Sequence, residues 1–345
     1  MRPASLRMAY RGLAGVGAAC LPAALPAAAQ AHVKWFAPYD VPAAPVGLEH
    51  VFGPTFVELC VLAVLLFFLA SSFERTAVGQ IVLRAVDRVF ADLRERTESL
   101  MRAGVGAFFV GACMTGGIIL TPELKTASVA TPLLQAAIAA GVFWRSTMVF
   151  SGVGIIILFV QGLWDYGMFH MMDYPIFLGA AAYLILRGMG RDHVFHLRAV
   201  DVLRWGAAIT LMWASVEKWA YPEWSYPVLR SHAVLTVGLD PKFYMIAAGV
   251  VEFSLAFGML WTPLVRRLSA IVLISMFVSA IFEFGKIDAL GHLLIIVILL
   301  VIAADDQSPR ALRAVLAPLW YSGALASTIL AYYLTHSLLF GTAIL

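Results

Sequence analysis

The sequence predicts an all-α, polytopic membrane protein of about ten transmembrane helices, and three observations carry that expectation. First, 61% of the 345 residues are hydrophobic and only 13% are charged, against roughly a quarter charged in a soluble domain. Second, apolar runs recur at about the 20-residue length that a helix needs to cross a bilayer. Third, arginine segregates to alternate connecting loops, as it does on the inner side of membrane proteins. The net charge of +3 is too small to suggest a nucleic-acid partner, so the expected surroundings are the lipid bilayer.

Residues 1–31 read as an export signal. Arg2, Arg7 and Arg11 form a positive leader, Gly12 to Ala28 is small and apolar, and Ala29-Gln30-Ala31 fits a cleavage site. A periplasmic segment follows at 32–53. Cys60 and Cys113 then lie inside hydrophobic segments without C-x-x-C spacing, which speaks against disulfide exchange and for small apolar packing. The candidate spans are Pro54–Ser72, Gly104–Leu120, Ala127–Trp144, Thr147–Trp164 and Tyr174–Leu186, then Val202–Trp219, Phe243–Trp261, Leu268–Phe284, Ala289–Ala304 and Val315–Leu334. Residues 54–101 hold the first span and an amphipathic stretch. In that stretch Ile81, Val82, Val86, Val89, Phe90 and Leu93 recur at helical spacing among arginines, as in a helix lying on a membrane surface.

Fourteen arginines, from Arg75 to Arg313, fall in one set of loops, while Lys34, Lys125, Lys218, Lys242 and Lys286 fall with Arg230 in the other. This orientation puts a bacterial-type inner-membrane protein with both mature termini in the periplasm.

Two four-helix blocks, 102–190 and 200–305, share a layout, and a last span occupies 306–345. Trp164-Asp165-Tyr166-Gly167 closes the third span of the first block, and Phe282-Glu283-Phe284-Gly285 closes that of the second. Each is followed by Asp and His: Asp173 with His170, and Asp288 with His292. Both blocks start on the inner side, so the expected relation is a parallel repeat.

The second block, about residues 202–304, resembles the DoxX family of small four-helix membrane proteins. The residues that carry the resemblance are Glu217-Lys218-Trp219, the run Ala247-Ala248-Gly249-Val250-Val251-Glu252, Arg266-Arg267-Leu268-Ser269-Ala270, and His292. The resemblance implies a four-helix fold and, through relatives that are membrane components of redox systems, a quinone-linked role; membrane chaperones are also among those relatives. Fold is implied more firmly than activity.

An acid near the bilayer centre costs about 2.5–3.5 kcal/mol on insertion scales, so each one calls for a reason. Glu252 lies mid-span and reads either as a proton carrier or as a hydrogen-bonded lock between helices. Ser275, Ser279 and Glu283 fall at i, i+4 and i+8, one stripe on a helix face expected to meet other helices or a wet cavity. Glu217 and Lys218 close their span at the outer edge, where Lys218 either holds an anionic group or snorkels to headgroups. Trp213 is deep enough to line a pocket, and Glu58 is near the same outer cluster. The expected catalytic residues are therefore Glu252 and Glu283, with Glu217, Lys218, Trp213, Ser275, Ser279, Asp165, His170 and His292 around a ligand.

Quinone is one expected ligand. Copper is the other, because cleavage after Ala31 would leave His32 with a free amine that can chelate Cu(II), with His50 able to complete the site. No phosphate-binding loop, dinucleotide fingerprint or nucleophile elbow occurs, so a redox or periplasmic protein partner would supply electrons. The expected function is a redox-system membrane component; the alternatives are a transporter or copper-handling protein, and an assembly factor without catalysis.

The arginine segregation predicts that cysteines introduced at Lys125, Lys242 and Leu345 react with an impermeant maleimide in intact spheroplasts. Protection at Lys242 would overturn the span order. Intact-mass measurement of the purified protein should likewise show residues 1–31 removed.

Overall fold

The computed structural model describes residues 33–190, 193–307 and 316–342. Twelve helices of ten residues or more organise them: α1 Pro54–Glu74, α2 Ala77–Val89, α3 Thr97–Thr115, α4 Ala130–Gly141, α5 Met148–Tyr166, α6 Pro175–Met189, α7 His193–Ala220, α8 Pro222–Ser231, α9 Pro241–Met259, α10 Pro263–Phe284, α11 Lys286–Ala304 and α12 Ala317–Phe340. No strand forms among the described residues, apart from an isolated bridge between Ile118 and Lys125. Seven helices are long and apolar enough to cross a membrane: α1, α5, α7, α9, α10, α11 and α12. The chain is a helical multi-pass membrane protein.

Every expected span contains a helix, but two of the helices stop well short of the expected run. The run Gly104–Leu120 is expected as one span, whereas α3 stops at Thr115 because Gly116 and Gly117 both take positive φ. Ile118, Ile119 and Leu120 are buried in the loop that follows, where the Gln135 side-chain amide donates to the carbonyls of Ile118 and Ile119 at 2.9 Å each. Within Ala127–Trp144 only the 12 residues of α4 are helical. The amphipathic stretch is also broken, into α2 and a short helix Ala91–Glu95. Val78, Ile81 and Val89 of α2 are exposed, as suits a helix whose apolar face meets lipid.

α3 packs on α4, α4 on α5, and α5 on α6. Phe108 against Phe177 and an ion pair of Arg187 with Glu98 close this first ring. α7, α9, α10 and α11 close a second ring, with α7 also touching α11. The rings join twice, α6 on α7 and α11 on α3, so the fourth helix of each ring packs on the first helix of the other. Small residues permit both joins. A Cβ on Gly179 would lie 2.9 Å from the Val202 carbonyl oxygen, and one on Gly104 would lie 2.6 Å from Val297. α1 and α12 pack on each other and on α9, outside the second ring.

One end of the bundle is held by arginines. Arg266 and Arg267, at the start of α10, are fully buried. Arg266 pairs with Asp305 at 2.6 Å, and Arg204 of α7 approaches the same carboxylate at 3.6 Å. Arg267 pairs with Asp87 of α2 at 2.6 Å and donates to the carbonyls of Ala303 and Asp305. Arg102 caps the carbonyl of Val142, while Arg145 caps those of Arg187 and Gly190. These residues therefore close helix ends as well as setting a charge bias, since the last carbonyls of a helix lack partners of their own.

Replacing Asp305 with Asn leaves the Arg266 guanidinium buried without its counter-charge, a change of about 3–5 kcal/mol. Thermal unfolding in detergent should show a large fall in midpoint for Asp305→Asn and almost none for Arg198→Ala, which removes an exposed arginine.

Candidate functional site

At the end opposite the arginines, the second ring encloses a cavity of about 120 Å³ that extends to the start of α6. Its wall is mainly apolar and aromatic, with Phe177, Leu211, Phe277 and Leu294 among the lining residues, and it carries a few polar groups. Glu217 and Lys218 come from the last turn of α7, Glu252 from the middle of α9, and His292 from the second turn of α11. Lys218 Nζ pairs with Glu252 Oε2 at 2.8 Å, joining α7 to α9. His292 Nδ1 meets Asp288 Oδ2 at 2.9 Å, a contact that i,i+4 spacing on one helix allows. The His292 ring lies between Trp35 and Phe277, at centroid distances of 4.9 and 4.7 Å.

The segment before α1 forms a strap over this end. Val46 N–H donates to the Ala220 carbonyl, Tyr221 and Tyr333 hydroxyls donate to the carbonyls of Ala43 and Val46, and the His336 ring meets the Val41 carbonyl at 2.9 Å. Phe36 stacks on Phe284 at 4.8 Å. Gly291 of α11 is needed because a Cβ there would fall 1.9 Å from the Trp35 ring.

Lys34 anchors the strap from inside. Its ammonium lies 2.5 Å from Asp173 and 2.5 Å from Glu217, with the Tyr39 and Trp224 rings at 5.6 and 5.4 Å. Burial alone would lower the pKa of this ammonium, but Asp173, Glu217 and Glu123 outweigh it and hold the value above the ordinary lysine range. Beside it, Glu123 Oε1 is 2.8 Å from His170 Nε2 and also accepts from the Tyr174 hydroxyl. Burial first, and the Glu123 carboxylate second, push the Tyr39 hydroxyl up to about 12.

No family model, curated protein or solved structure matches the chain. The site is therefore read from its own residues. Of the expected set, Glu217, Lys218, Glu252 and His292 line one cavity. His170 is buried in the adjoining cluster with Glu123.

The others lie elsewhere. Glu283 and Ser275 are exposed, so the stripe expected to share a cavity with Glu252 faces away from it. The Ser275 and Ser279 hydroxyls return to the carbonyls of Ile271 and Met276 on their own helix. Asp165 and Glu58 are also exposed. Trp213 is buried but packs on Phe169 and Tyr332 rather than lining the cavity. His32 lies outside the described residues, and His50 is exposed beside Glu49.

Sequence reasoning missed Lys34, Trp35 and Glu123 as site residues. The available signal was charge: Lys34 and Glu123 each stand in short segments rich in apolar residues, outside the arginine-bearing loops.

Gly291→Val should displace Trp35 and loosen the strap. Ala37 is 8% exposed, so Ala37→Cys, in a background with the native cysteines replaced by Ala, should resist an impermeant maleimide. It should react when Gly291→Val is added; unchanged protection would show that the strap does not depend on this contact.

Proposed function

We propose that this chain is a DoxX-like integral component of an inner-membrane redox system, binding a quinone or similar small ligand in a periplasm-facing cavity. The observation that carries the reading is the apolar, aromatic-walled cavity of about 120 Å³ lined by the Lys218–Glu252 pair and by His292, which Asp288 holds from behind. A largely apolar pocket with a few convergent polar groups is the usual form of a small-molecule site. A quinone ring fits such walls, and its carbonyl oxygens need hydrogen-bond donors. Lys218 supplies one from α7. His292, with Nδ1 engaged by Asp288, has Nε2 left to serve the ligand from α11.

Two-electron reduction of a quinone consumes two protons, and groups able to give or carry them must lie near the oxygens. Glu252 is suited to that work because its carboxylate meets Lys218 at the cavity wall. The same ion pair also locks α7 to α9, so positioning and proton handling are combined in one residue. Electrons come from a redox partner protein, since the chain carries no electron-transfer cofactor motif.

The ten-span, parallel-repeat reading belongs to this proposal. It is supported by the two rings joined fourth helix to first, and by Gly167 and Gly285. Both glycines end a helix at positive φ, and a new helix follows each at once. Exposed Trp164 and Phe282 open the two matching tetrapeptides. α3, α4 and α6 then complete the ten, although α4 and α6, at about 18 and 22 Å, are shorter than a bilayer core.

Binding of a short-chain quinone to detergent-purified protein, followed by tryptophan fluorescence, tests the reading. Losing a hydrogen bond to a charged group costs about 1.5–3 kcal/mol, so Lys218→Met should weaken binding about 10- to 150-fold. Glu252→Gln should fold and bind but lose quinone-dependent turnover with its partner, while Glu283→Gln should match wild type. Absence of quinone binding by the wild-type protein, together with no co-purifying quinone by mass spectrometry, would overturn the proposal.

A further inference from the structure

We propose that Glu123, His170 and Asp173 form a binding site for a divalent transition-metal cation beside the cavity. The inference stands apart from the quinone reading and uses other residues. Each of the three offers one ligand atom, and these atoms lie within 4.8 Å of one another, all buried. They come from two segments. Glu123 belongs to the loop held by the Ile118–Lys125 bridge, whereas His170 and Asp173 stand three residues apart on the turn between α5 and α6.

Charge is the first argument. Glu123, Asp173 and Glu217 are buried together, and Lys34 is the cation placed among them. Three acids surround one lysine here, and buried acids in that ratio are stabilised by protons or by a bound cation.

Donor geometry is the second argument. Asp173 is 2% exposed; its Oδ2 is taken by Lys34, while its Oδ1 is buried with no hydrogen-bond partner among the described residues. His170 Nε2 and Glu123 Oε1 face each other at 2.8 Å. Two ligands on a tetrahedral zinc stand roughly 3.3 Å apart, so these two atoms would part by about half an ångström to admit a metal, with Asp173, within 4.8 Å of them, closing on it. The surroundings are already those of a metal site. Tyr174 donates to Glu123, Lys34 orients Asp173, and the rings of Tyr39 and Tyr166 hold the imidazole at 5.5 and 5.4 Å. One imidazole and two carboxylates suit Zn²⁺ or Mn²⁺, and the absence of a soft ligand in the set excludes a Cu(I) preference. Asp173 and Tyr174 also line the cavity, which gives the ion a route in.

Full-length protein, stripped with a chelator in detergent and titrated with Zn²⁺ and separately Mn²⁺, tests this. Metal retained after desalting and the shift in unfolding midpoint are the readouts. Wild type should hold one equivalent of one of these ions and be stabilised by it. Glu123→Gln and Asp173→Asn should each weaken uptake at least tenfold, and the double variant His32→Ala/His50→Ala should bind as wild type does. Lys34→Met keeps every ligand and removes a competing positive charge, so it should bind the ion more tightly and gain more in midpoint than wild type. The proposal is overturned if wild type retains neither ion, or if Glu123→Gln and Asp173→Asn retain it unchanged. Loss of uptake in the His32/His50 variant, or a Lys34→Met protein that neither ion stabilises, overturns it equally.

Discussion

Lys34 reaches from the strap into a cluster where Asp173, Glu217 and Glu123 are all buried, and the end of the molecule opposite the buried arginines is arranged around that contact. Three carboxylates close together repel one another strongly in a low-dielectric interior. The ammonium makes their proximity tolerable, and the aromatic rings of Tyr39 and Trp224 shield it. Because Asp173 begins the approach to α6 and Glu217 ends α7, the same contact fixes the join between the two rings. The cavity edge follows from it, since Asp173 and Glu217 both form part of the wall.

The two ends of the bundle solve the same problem with opposite chemistry. At one end, buried guanidinium groups meet Asp305, Asp87 and a series of helix-terminal carbonyls. Arginine suits this work, with five donors in a planar fork that stays charged. At the other end acids predominate, and lysine and histidine answer them at single points. The first arrangement serves to hold helices together, although Arg266 Nε and Nη2 and Arg267 Nη1 have no hydrogen-bond partner among the described residues. The second leaves Asp173 Oδ1 without a partner and a cavity beside it, which is where chemistry has room.

Much of this was legible in the sequence. Apolar runs located a helix in every expected span, because the length needed to cross a bilayer is a strong constraint on composition. Glu252 was singled out for its cost in a membrane, Glu217 and Lys218 for their place at a span's end, and His292 for its place in the repeat and the resemblance; all four line one cavity, as buried polar groups need company. The stripe of Ser275, Ser279 and Glu283 shows where such reasoning stops. Spacing puts the three on one face of α10 but does not say which face turns inward; Phe277 and Ala280 take the buried side instead. Hydropathy also cannot separate helix from buried loop. Ile118 to Leu120 are as apolar as any span, yet Gly116 and Gly117 turn the chain before them. Lys34 was hidden because its partners lie far off in sequence, and a single positive charge near a terminus carries no local pattern.

That remoteness sets an order of assembly. Lys34 and Asp173 are 139 residues apart, so the strap's anchor is made long before its partner exists. At synthesis rates of about 5–20 residues per second, the lysine waits roughly seven to thirty seconds for that carboxylate. During this interval the segment has nothing to seal, and this end of the growing protein stands open. Closure of the strap is thus a late event in biogenesis, and a chain arrested before Asp173 would keep its first helices but lack the anchor of its lid.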